Sequence, residues 1–209
     1  MSAAATLVAW IMPAEVGRLN ELMRRYGRGE DRAFDPLYVM MAPRLFRFCV
    51  RLATAGADAD DLFQETFLRV HRARATYMPG GNALYWAFAI ARSVFRDRLR
   101  YRRRRPEELG SANDVREDDR LAAGDGQRPE AEVLAHALAQ TVRLELGKMS
   151  EKNRVAYILI KEEGLTVKEA AATLGTTEDV VKKRAHRAYE QLRSAVDAAG
   201  WRPHGDANC

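Results

Sequence analysis

Residues 82–105 read NALYWAFAIARSVFRDRLRYRRRR, and this stretch is the strongest indication of how the chain folds and what it binds. Apolar residues recur at helical spacing and predict one buried stripe, formed by Leu84, Phe88, Ala91, Phe95 and Leu99. A second stripe is cationic and consists of Arg92, Arg96, Arg100 and Arg103. From Arg92 to Arg105 the stretch holds eight arginines and one acid, Asp97. Such a helix requires burial of its apolar side and an anionic partner for its cationic side.

Nucleic acid is the anionic partner that this density of arginine favours. A solvated basic helix end, a membrane surface and an acidic protein are the alternatives. The composition is that of a soluble globular protein and not of a disordered one, because 47% of the 209 residues are hydrophobic and 30% are charged.

The net charge of +5 is distributed very unevenly along the chain. Residues 1–105 carry +9, residues 106–132 carry −6 and residues 133–209 carry +2. The middle block is rich in Gly, Pro, Asp and Glu and poor in large apolar residues, which indicates a flexible linker. The charge pattern therefore predicts two DNA-facing domains joined by an acidic linker.

Helical spacing of apolar residues in both positive blocks predicts an all-α fold. We expect five parts: an N-terminal extension with a short helix (1–32), a helical bundle (33–105), the linker (106–132), a second helical domain (133–199) and a tail (200–209). Pro43 lies within the apolar segment 33–53 and is expected to bend or divide that helix.

The stretch DADDLFQETFLRVHRA, residues 58–73, predicts a helix that is capped by Asp58 and buries Phe63, Phe67 and Val70. Its polar side carries Asp60, Asp61, Gln64 and Glu65. A solvated helix start explains most of these acids, and a protein-docking surface explains why they adjoin a glutamine. A metal site or a pair of catalytic carboxylates is disfavoured, because the spacing matches no ligand pattern.

A loop precedes the arginine-rich helix, since residues 77–82 read YMPGGN and Asn82 is the expected helix cap. Tyr77, Tyr85 and Trp86 are candidates for stacking on an unpaired base. A plain core position is an equally good interpretation of Trp86.

After the linker, apolar spacing predicts three or four further helices. Ser150 is expected to cap a helix that runs to Glu163, and Thr166 and Glu169 form a capping box for a short alanine-rich helix. A turn containing Gly175 separates that helix from a last one over about residues 178–196.

A short helix, a glycine turn and a longer cationic helix are typical of a helix-turn-helix. The candidate DNA contacts are Thr177, Lys182, Lys183, Arg184, His186 and Arg187. An ordinary helical hairpin is the alternative. His186 lies among cations and therefore fits a phosphate contact or a bystander better than a metal ligand.

Several classes of protein are not expected. The only cysteines, Cys49 and Cys209, form no CxxC or Cys/His cluster, so neither a disulfide framework nor structural zinc is predicted. The apolar N-terminus lacks a basic start and reaches Pro13 too early to span a bilayer. No pattern indicates an enzyme or a cofactor. We expect a cytoplasmic protein without membrane insertion.

These motifs resemble those of bacterial extracytoplasmic-function (ECF) sigma factors. DADDLFQETFLRVHRA resembles region 2.2 of that family, ALYWAFAIARSVFRDRLRYRRRRP resembles regions 2.3 and 2.4, and LTVKEAAATLGTTEDVVKKRAHRAYEQLR resembles region 4.2. The similarity covers roughly residues 33–105 and 134–196, in the order of the family.

The resemblance implies a subunit that binds core RNA polymerase, directs it to promoters and promotes DNA melting. Asp60, Asp61, Gln64 and Glu65 would dock on the clamp helices of the β′ subunit. The loop 77–84 and the start of the arginine-rich helix would capture an unstacked base of the −10 element. Region 4 would bind the −35 element in the major groove and contact the β-flap. An anti-sigma factor is a further expected partner.

Two departures from the family pattern bear on specificity. Ser93 stands where many members have Asn after an IAR triplet, so the base preference of the melting pocket is open. Glu178 and Asp179 begin the recognition helix and would either accept a hydrogen bond from a cytosine amino group or stay clear of DNA. A DNA-binding regulator that works without polymerase is the alternative function, and it would need neither the docking patch nor the melting loop.

Overall fold

The computed structural model describes residues 13–53, 59–104 and 130–200, and every regular element in these ranges is helical. The predicted all-α fold is thereby confirmed. The expected Asp58 cap, most of the predicted linker and residues 201–209 lie outside the described ranges. No helix within them is both long enough and apolar enough to cross a membrane.

Four α-helices form the N-terminal half: α1 (Pro13–Gly27), α2 (Phe34–Leu52), α3 (Ala59–Ala73) and α4 (Ala83–Arg104). Short 3-10 helices precede α2 at Asp31–Ala33 and follow α3 at Arg74–Thr76. The end of α1 passes very close to the second of these. A Cβ atom on Gly27 would lie 2.8 Å from the carbonyl oxygen of Arg74, so glycine is required there.

Four more α-helices form the C-terminal half: α5 (Glu130–Lys148), α6 (Glu151–Tyr157), α7 (Val167–Leu174) and α8 (Glu178–Ala198). Helix α5 begins inside the last three residues of the predicted linker. Helices α7 and α8 are joined by a tight turn in which Gly175 adopts φ 60°. The predicted helix-turn-helix is therefore present.

The predicted apolar stripe of α4 is the centre of the core, because its first four members are at most 1% exposed. Phe88 of this stripe packs on Phe48 of α2, with ring centroids 4.4 Å apart. The buried face of α3 differs from the prediction: Leu62 and Thr66 are fully buried, whereas Phe63 is only partly covered. Thr66 tolerates burial because its hydroxyl donates to the carbonyl of Leu62 at 2.6 Å.

Pro43 does not divide its helix, since α2 continues through it from Phe34 to Leu52. A proline inside a helix removes one backbone hydrogen bond and disturbs the preceding turn. Met41 before it and Leu45 after it are both fully buried. Packing on both sides therefore holds the two parts of α2 in one helix.

Side-chain caps begin the helices where the sequence predicts them. Asn82 Oδ1 accepts hydrogen bonds from the backbone nitrogens of Leu84 at 3.0 Å and Tyr85 at 3.4 Å. The capping box is complete, because Thr166 Oγ1 accepts from Glu169 N at 3.2 Å and Glu169 Oε2 accepts from Thr166 N at 2.8 Å. These bonds satisfy amide groups that have no partner within the helix.

The sequence predicts one helix from its cap at Ser150 to Glu163. In the structure this helix does not remain α-helical over its whole length. It becomes a π-helix at Ile158–Glu162, where Glu163 N donates to Ile158 O at 2.9 Å. Gly164 then ends it with φ 71°. π-Helical turns are uncommon and frequently accompany functional positions. Here the wider turn ends at two glutamates that contact α2.

The two predicted domains are in direct contact. The main cluster of buried apolar residues runs from α1–α4 into the C-terminal half, where it includes Val155, Ile158, Leu174 and Val181. A smaller cluster lies between α5 and α8 and consists of Leu146, Met149, Ala188 and Leu192. Helix α7 packs on α4, so the helix-turn-helix is seated against the arginine-rich helix.

Candidate nucleic-acid and protein interfaces

The cationic stripe of α4 falls into two parts. Arg96, Arg100 and Arg103 are exposed, and the side chain of Arg100 is 64% exposed. The side chain of Arg92 is only 14% exposed. Its Nε lies 2.8 Å from Glu151 Oε1 of α6, and its Nη1 donates to the carbonyl of Leu174 at 3.3 Å. In this arrangement Arg92 faces the C-terminal half of the chain and not solvent.

The loop before α4 is held by its own aromatic residues. Tyr77 is 8% exposed, and its hydroxyl donates to the carbonyl of Gly81. Its ring meets Trp86 edge to face, with centroids 5.7 Å apart. Burial raises the pKa of Tyr77. The Tyr77 side chain therefore primarily stabilises the conformation of the loop.

Tyr85 and Trp86 are both half-buried and pack against the core. Burial raises the pKa of Tyr85, which lies near Glu169 of α7 and Arg44 of α2. Ser93 is exposed further along the helix. At 1.5 Å per residue it lies about 15 Å along the axis from the start of α4. A single base pocket that included both the loop and Ser93 would have to bridge that distance.

The acidic side of α3 faces solvent. Asp60, Asp61 and Gln64 are exposed, and Glu65 is 32% exposed. Arg98 of α4 donates to the carbonyl of Asp61 at 2.7 Å and so fixes the backbone of this surface to the arginine-rich helix. Among the described residues, no group of three or more His, Cys, Asp or Glu side chains could hold a metal ion.

Arg69 joins the acidic surface to α4, a contact that no local sequence pattern predicts. Its Nε lies 3.1 Å from Glu65 Oε1, and its Nη1 lies 2.6 Å from Asp97 Oδ2. Asp97 also accepts a hydrogen bond from Arg100. The hydrogen bond from Arg69, followed by that from Arg100, holds the pKa of Asp97 below its usual value. The single acid of the stretch therefore orients two arginines.

A second unanticipated feature is an open apolar groove of about 620 Å³ beside Gln64. It is lined by aromatic rings of α1, α2 and α3 together with Leu68, which is half exposed. Phe63 and Phe67 have the spacing of core residues, so their spacing does not indicate that their outer edges line a groove.

The helix-turn-helix presents a cationic surface. Ala170 and Ala171 of α7 and Ala185 of α8 are buried where the two helices cross. Five of the six predicted DNA contacts are exposed: Thr177, Lys182, Lys183, His186 and Arg187. The sixth, Arg184, is half-buried. Thr177 also caps α8, accepting from Val180 N at 3.4 Å. Glu178 and Asp179 are exposed in the first turn.

These features define a helical DNA-binding protein with two basic surfaces and a separate acidic surface suited to a protein partner. Two family models match the chain, sigma-70 region 2 over residues 37–105 and sigma-70 region 4 over residues 139–192.

Curated relatives and a solved structure agree with these matches. The RNA polymerase sigma factor CarQ of Myxococcus xanthus is 34% identical, over 83% of this chain and 95% of that protein. The ECF RNA polymerase sigma factor EcfG of Rhodopseudomonas palustris is 32% identical, over 76% of this chain and 82% of that protein. The fold is similar to that of the sigma factor RpoE from Bartonella quintana, solved with the anti-sigma factor NepR, with a TM-score of 0.62 and 24% identity over 78% of this chain and 96% of that chain.

The chain belongs to the ECF group of RNA polymerase sigma factors, which bind core RNA polymerase and promoter DNA and are not enzymes. This membership favours a polymerase subunit over the alternative of a regulator that binds DNA without polymerase.

Proposed function

We propose that the acidic side of α3 is the surface that docks on the β′ clamp helices of core polymerase. Asp60, Asp61 and Gln64 are exposed on one side of α3, and Glu65 completes the patch while paired with Arg69. The apolar groove beside Gln64 is continuous with this patch. A polar rim around an apolar centre is the usual anatomy of a protein interface.

The exposed arginines of α4 hold the backbone of the −10 element, and the loop 77–84 captures one unstacked base. Arg96, Arg100 and Arg103 are available to phosphates, which supply binding that is independent of sequence. A flipped base must recover the free energy of unstacking through contacts in its pocket. The hydrogen bond from Tyr77 to Gly81 supports this role, because a preformed loop loses less entropy on binding.

Helix α8 enters the major groove of the −35 element, and the same half of the chain contacts the β-flap. Lys182, Lys183 and Arg187 lie on the exposed side of α8, within the first three turns that a recognition helix presents to base edges. Polymerase performs the chemistry, and this chain contributes no catalytic group.

Control by an anti-sigma factor and a cytoplasmic location complete the proposal. The similar RpoE structure contains the anti-sigma factor NepR bound to that protein. Core polymerase and promoter DNA both lie in the cytoplasm, where this chain would have to act.

The observation that carries the proposal is the separation of three surfaces on different helices of one chain: acidic on α3, basic on α4 and basic on α8. The test is copurification with core polymerase followed by open-complex formation on a library of promoter templates. We expect a stable holoenzyme and template-dependent opening. Binding of duplex DNA without any association with core polymerase would contradict the proposal.

A further inference from the structure

The first turn of α4 is capped by two asparagines, and one of them belongs to another helix. The amides of Ala83, Leu84 and Tyr85 have no acceptor within α4, because these are its first three residues. Asn82 accepts from Leu84 and Tyr85. Ala83 N instead donates to Oδ1 of Asn20 at 2.8 Å, across 63 positions of the chain. The half-buried Asn20 lies on α1, so a side chain of α1 fixes the start of α4.

The bond from Ala83 to Asn20 lies in the core. Ala83 is fully buried, so water does not readily replace the lost acceptor if Asn20 is removed. A buried amide without an acceptor bears the full cost of its desolvation. Helix α1 is itself well packed, since Leu19 and Met23 on either side of Asn20 are at most 2% exposed. Asn20 therefore holds the start of α4 against a firmly seated helix.

Helix α1 also fixes the other end of the loop that precedes α4. The loop 77–82 begins directly after the 3-10 helix that contains Arg74. Gly27 of α1 passes so close to the carbonyl of Arg74 that no Cβ atom fits there. The guanidinium carbon of Arg74 lies 5.5 Å from the centre of the Tyr26 ring. Both ends of the loop are thus set by α1, which precedes the residues 37–105 matched by the region 2 model.

We propose that Asn20 is a positioning residue for base capture. Through its bond to Ala83 N, it holds the loop 77–84 in the shape that accepts an unstacked base. A flipped base recovers the free energy of unstacking only in a pocket that matches it, and a preformed pocket loses less entropy on binding. Asn20 acts through α4 and not by touching the base. The inference rests on the proposed role of this loop in capturing a base.

The effect of Asn20 should be confined to promoter opening. Arg96 lies about 20 Å from Ala83 along the axis of α4, at 1.5 Å per residue, and the acidic surface lies on α3. Phosphate attachment and polymerase docking should therefore not depend on Asn20. Side-chain oxygens already accept from the amides of residues 83–85, so these amides are not free to hold a phosphate. The caps at this turn therefore act on the shape of the loop.

The test is the rate of promoter opening by holoenzyme that contains the full chain. Templates carry 2-aminopurine, a base analogue whose fluorescence rises on unstacking, at each position of the −10 element in turn. The variant is Asn20→Ala. The control is Asn153→Ala, which changes another half-buried asparagine, on α6 of the C-terminal half. Rates are measured at saturating holoenzyme, where the first-order rate constant does not depend on the fraction of active protein.

We expect Asn20→Ala to slow opening about fivefold relative to the control, the factor that corresponds to about 1 kcal/mol for one lost cap. Losing the cap lowers the fraction of loops in the competent shape, and the opening rate falls in proportion. Asn20→Asp should keep the wild-type rate, because its carboxylate also accepts from Ala83 N and is favoured at a helix N-terminus. The affinity of Asn20→Ala for core polymerase and the salt dependence of its promoter binding should match those of the control.

An opening rate of Asn20→Ala equal to that of the control would overturn the inference. An equal loss in Asn20→Asp would also overturn it, because that variant keeps the acceptor. If circular dichroism shows that Asn20→Ala melts below the assay temperature, Asn20→Ser takes its place. The serine is polar, but its hydroxyl oxygen lies one bond closer to the main chain and falls short of Ala83 N, so the same slower opening is expected.

Tyr77→Phe separates failure of this inference from failure of the proposed function. It removes the hydroxyl that donates to the carbonyl of Gly81 and so changes the loop directly. Slower opening with Tyr77→Phe but not with Asn20→Ala would overturn the role of Asn20 alone. Unchanged opening with both variants would also remove the loop 77–84 from base capture.

Discussion

Asp97 links the acidic surface of α3 to the arginines of α4, and its ionisation should contribute to stability. Hydrogen bonds from Arg69 and then Arg100 lower its folded pKa. The stabilisation is therefore present above the unfolded pKa, about 3.9, and is lost as pH falls through the lower folded value. At neutral pH, Asp97→Asn should cost no more than about 1 kcal/mol, because the Asp97 side chain is 34% exposed.

Urea unfolding from pH 7 to pH 2.5 checks this expectation. The free energy of unfolding of the wild-type chain should approach that of Asp97→Asn as the pH falls below 4. A difference between the two chains that stays constant down to pH 2.5 would contradict the assigned cause.

Residues whose partners are close in sequence could be predicted, and residues whose partners are distant could not. The capping box of Thr166 and Glu169 needs only a three-residue spacing. Arg154 carries no comparable signal, because its partner Leu52 is 102 residues away. Because arginine is rarely buried, the sequence alone predicts that Arg154 is exposed. Burial is possible here because carbonyl oxygens accept from its guanidinium and Phe95 lies beneath it, 5.7 Å from the charge centre.

Within α4, different residues should recognise the base and attach the helix to phosphates. Ser93→Asn should alter the preferred base at one promoter position and leave the salt dependence almost unchanged. Arg96→Ala should preserve the base preference and reduce the slope of log affinity against log salt by about 0.7, the value for one phosphate of a single strand. Arg92→Ala should reduce the slope less in the free protein, because Arg92 is paired with Glu151.

Open-complex formation on templates varied at that position, measured at two salt concentrations, distinguishes these effects. An unaltered base profile for Ser93→Asn would remove Ser93 from the pocket. The distance of about 15 Å between Ser93 and the start of α4 makes this a demanding test. An unaltered base profile would leave the family assignment intact.

Helix α8 should bind upstream duplex through its exposed cations. Lys183→Ala with Arg187→Ala should weaken binding of the upstream element by about 1–3 kcal/mol for each base contact that is lost. The control is Arg193→Ala, which lies six residues beyond Arg187 on α8 and whose side chain is 64% exposed. Fluorescence anisotropy on the upstream duplex provides the measurement. Equal affinity of the double variant and the control would exclude both residues from the interface.

Across the whole molecule, the sequence predicted the two helical parts but not the residues that bring them into contact. Apolar spacing identifies which side of α4 is buried, since that pattern is local. The pair of Arg44 and Glu163 joins residues 119 positions apart, and each residue alone looks like an ordinary surface charge. The sequence likewise does not show which arginines of the α4 stripe are exposed and which is covered by the C-terminal half. That division depends on where α6 and α7 pack.

Docking on core polymerase should depend on the acidic surface and not on net charge. Asp61→Lys with Gln64→Lys is the cleanest variant, because both side chains are exposed and the hydrogen bond from Arg98 goes to the main chain of Asp61. Glu65→Lys is less suitable, since it would place a second cation beside Arg69. The two lysines place positive charge on a surface of α3 whose polymerase partner is expected to complement acidic side chains. This changes both the association rate and the affinity.

The control, Glu21→Lys with Ser194→Lys, makes the same charge change at exposed positions on α1 and α8. We expect the docking variant to compete for core polymerase at least about 100-fold more weakly than the control, the equivalent of two or more lost contacts of about 1.4 kcal/mol each. Helical content and duplex binding through α8 should match the control. Because α8 carries its own cations, retained duplex binding shows that loss of polymerase is not loss of fold. Competition at the wild-type concentration would instead assign the docking function to another surface, and the apolar groove beside Gln64 would then be the first to test.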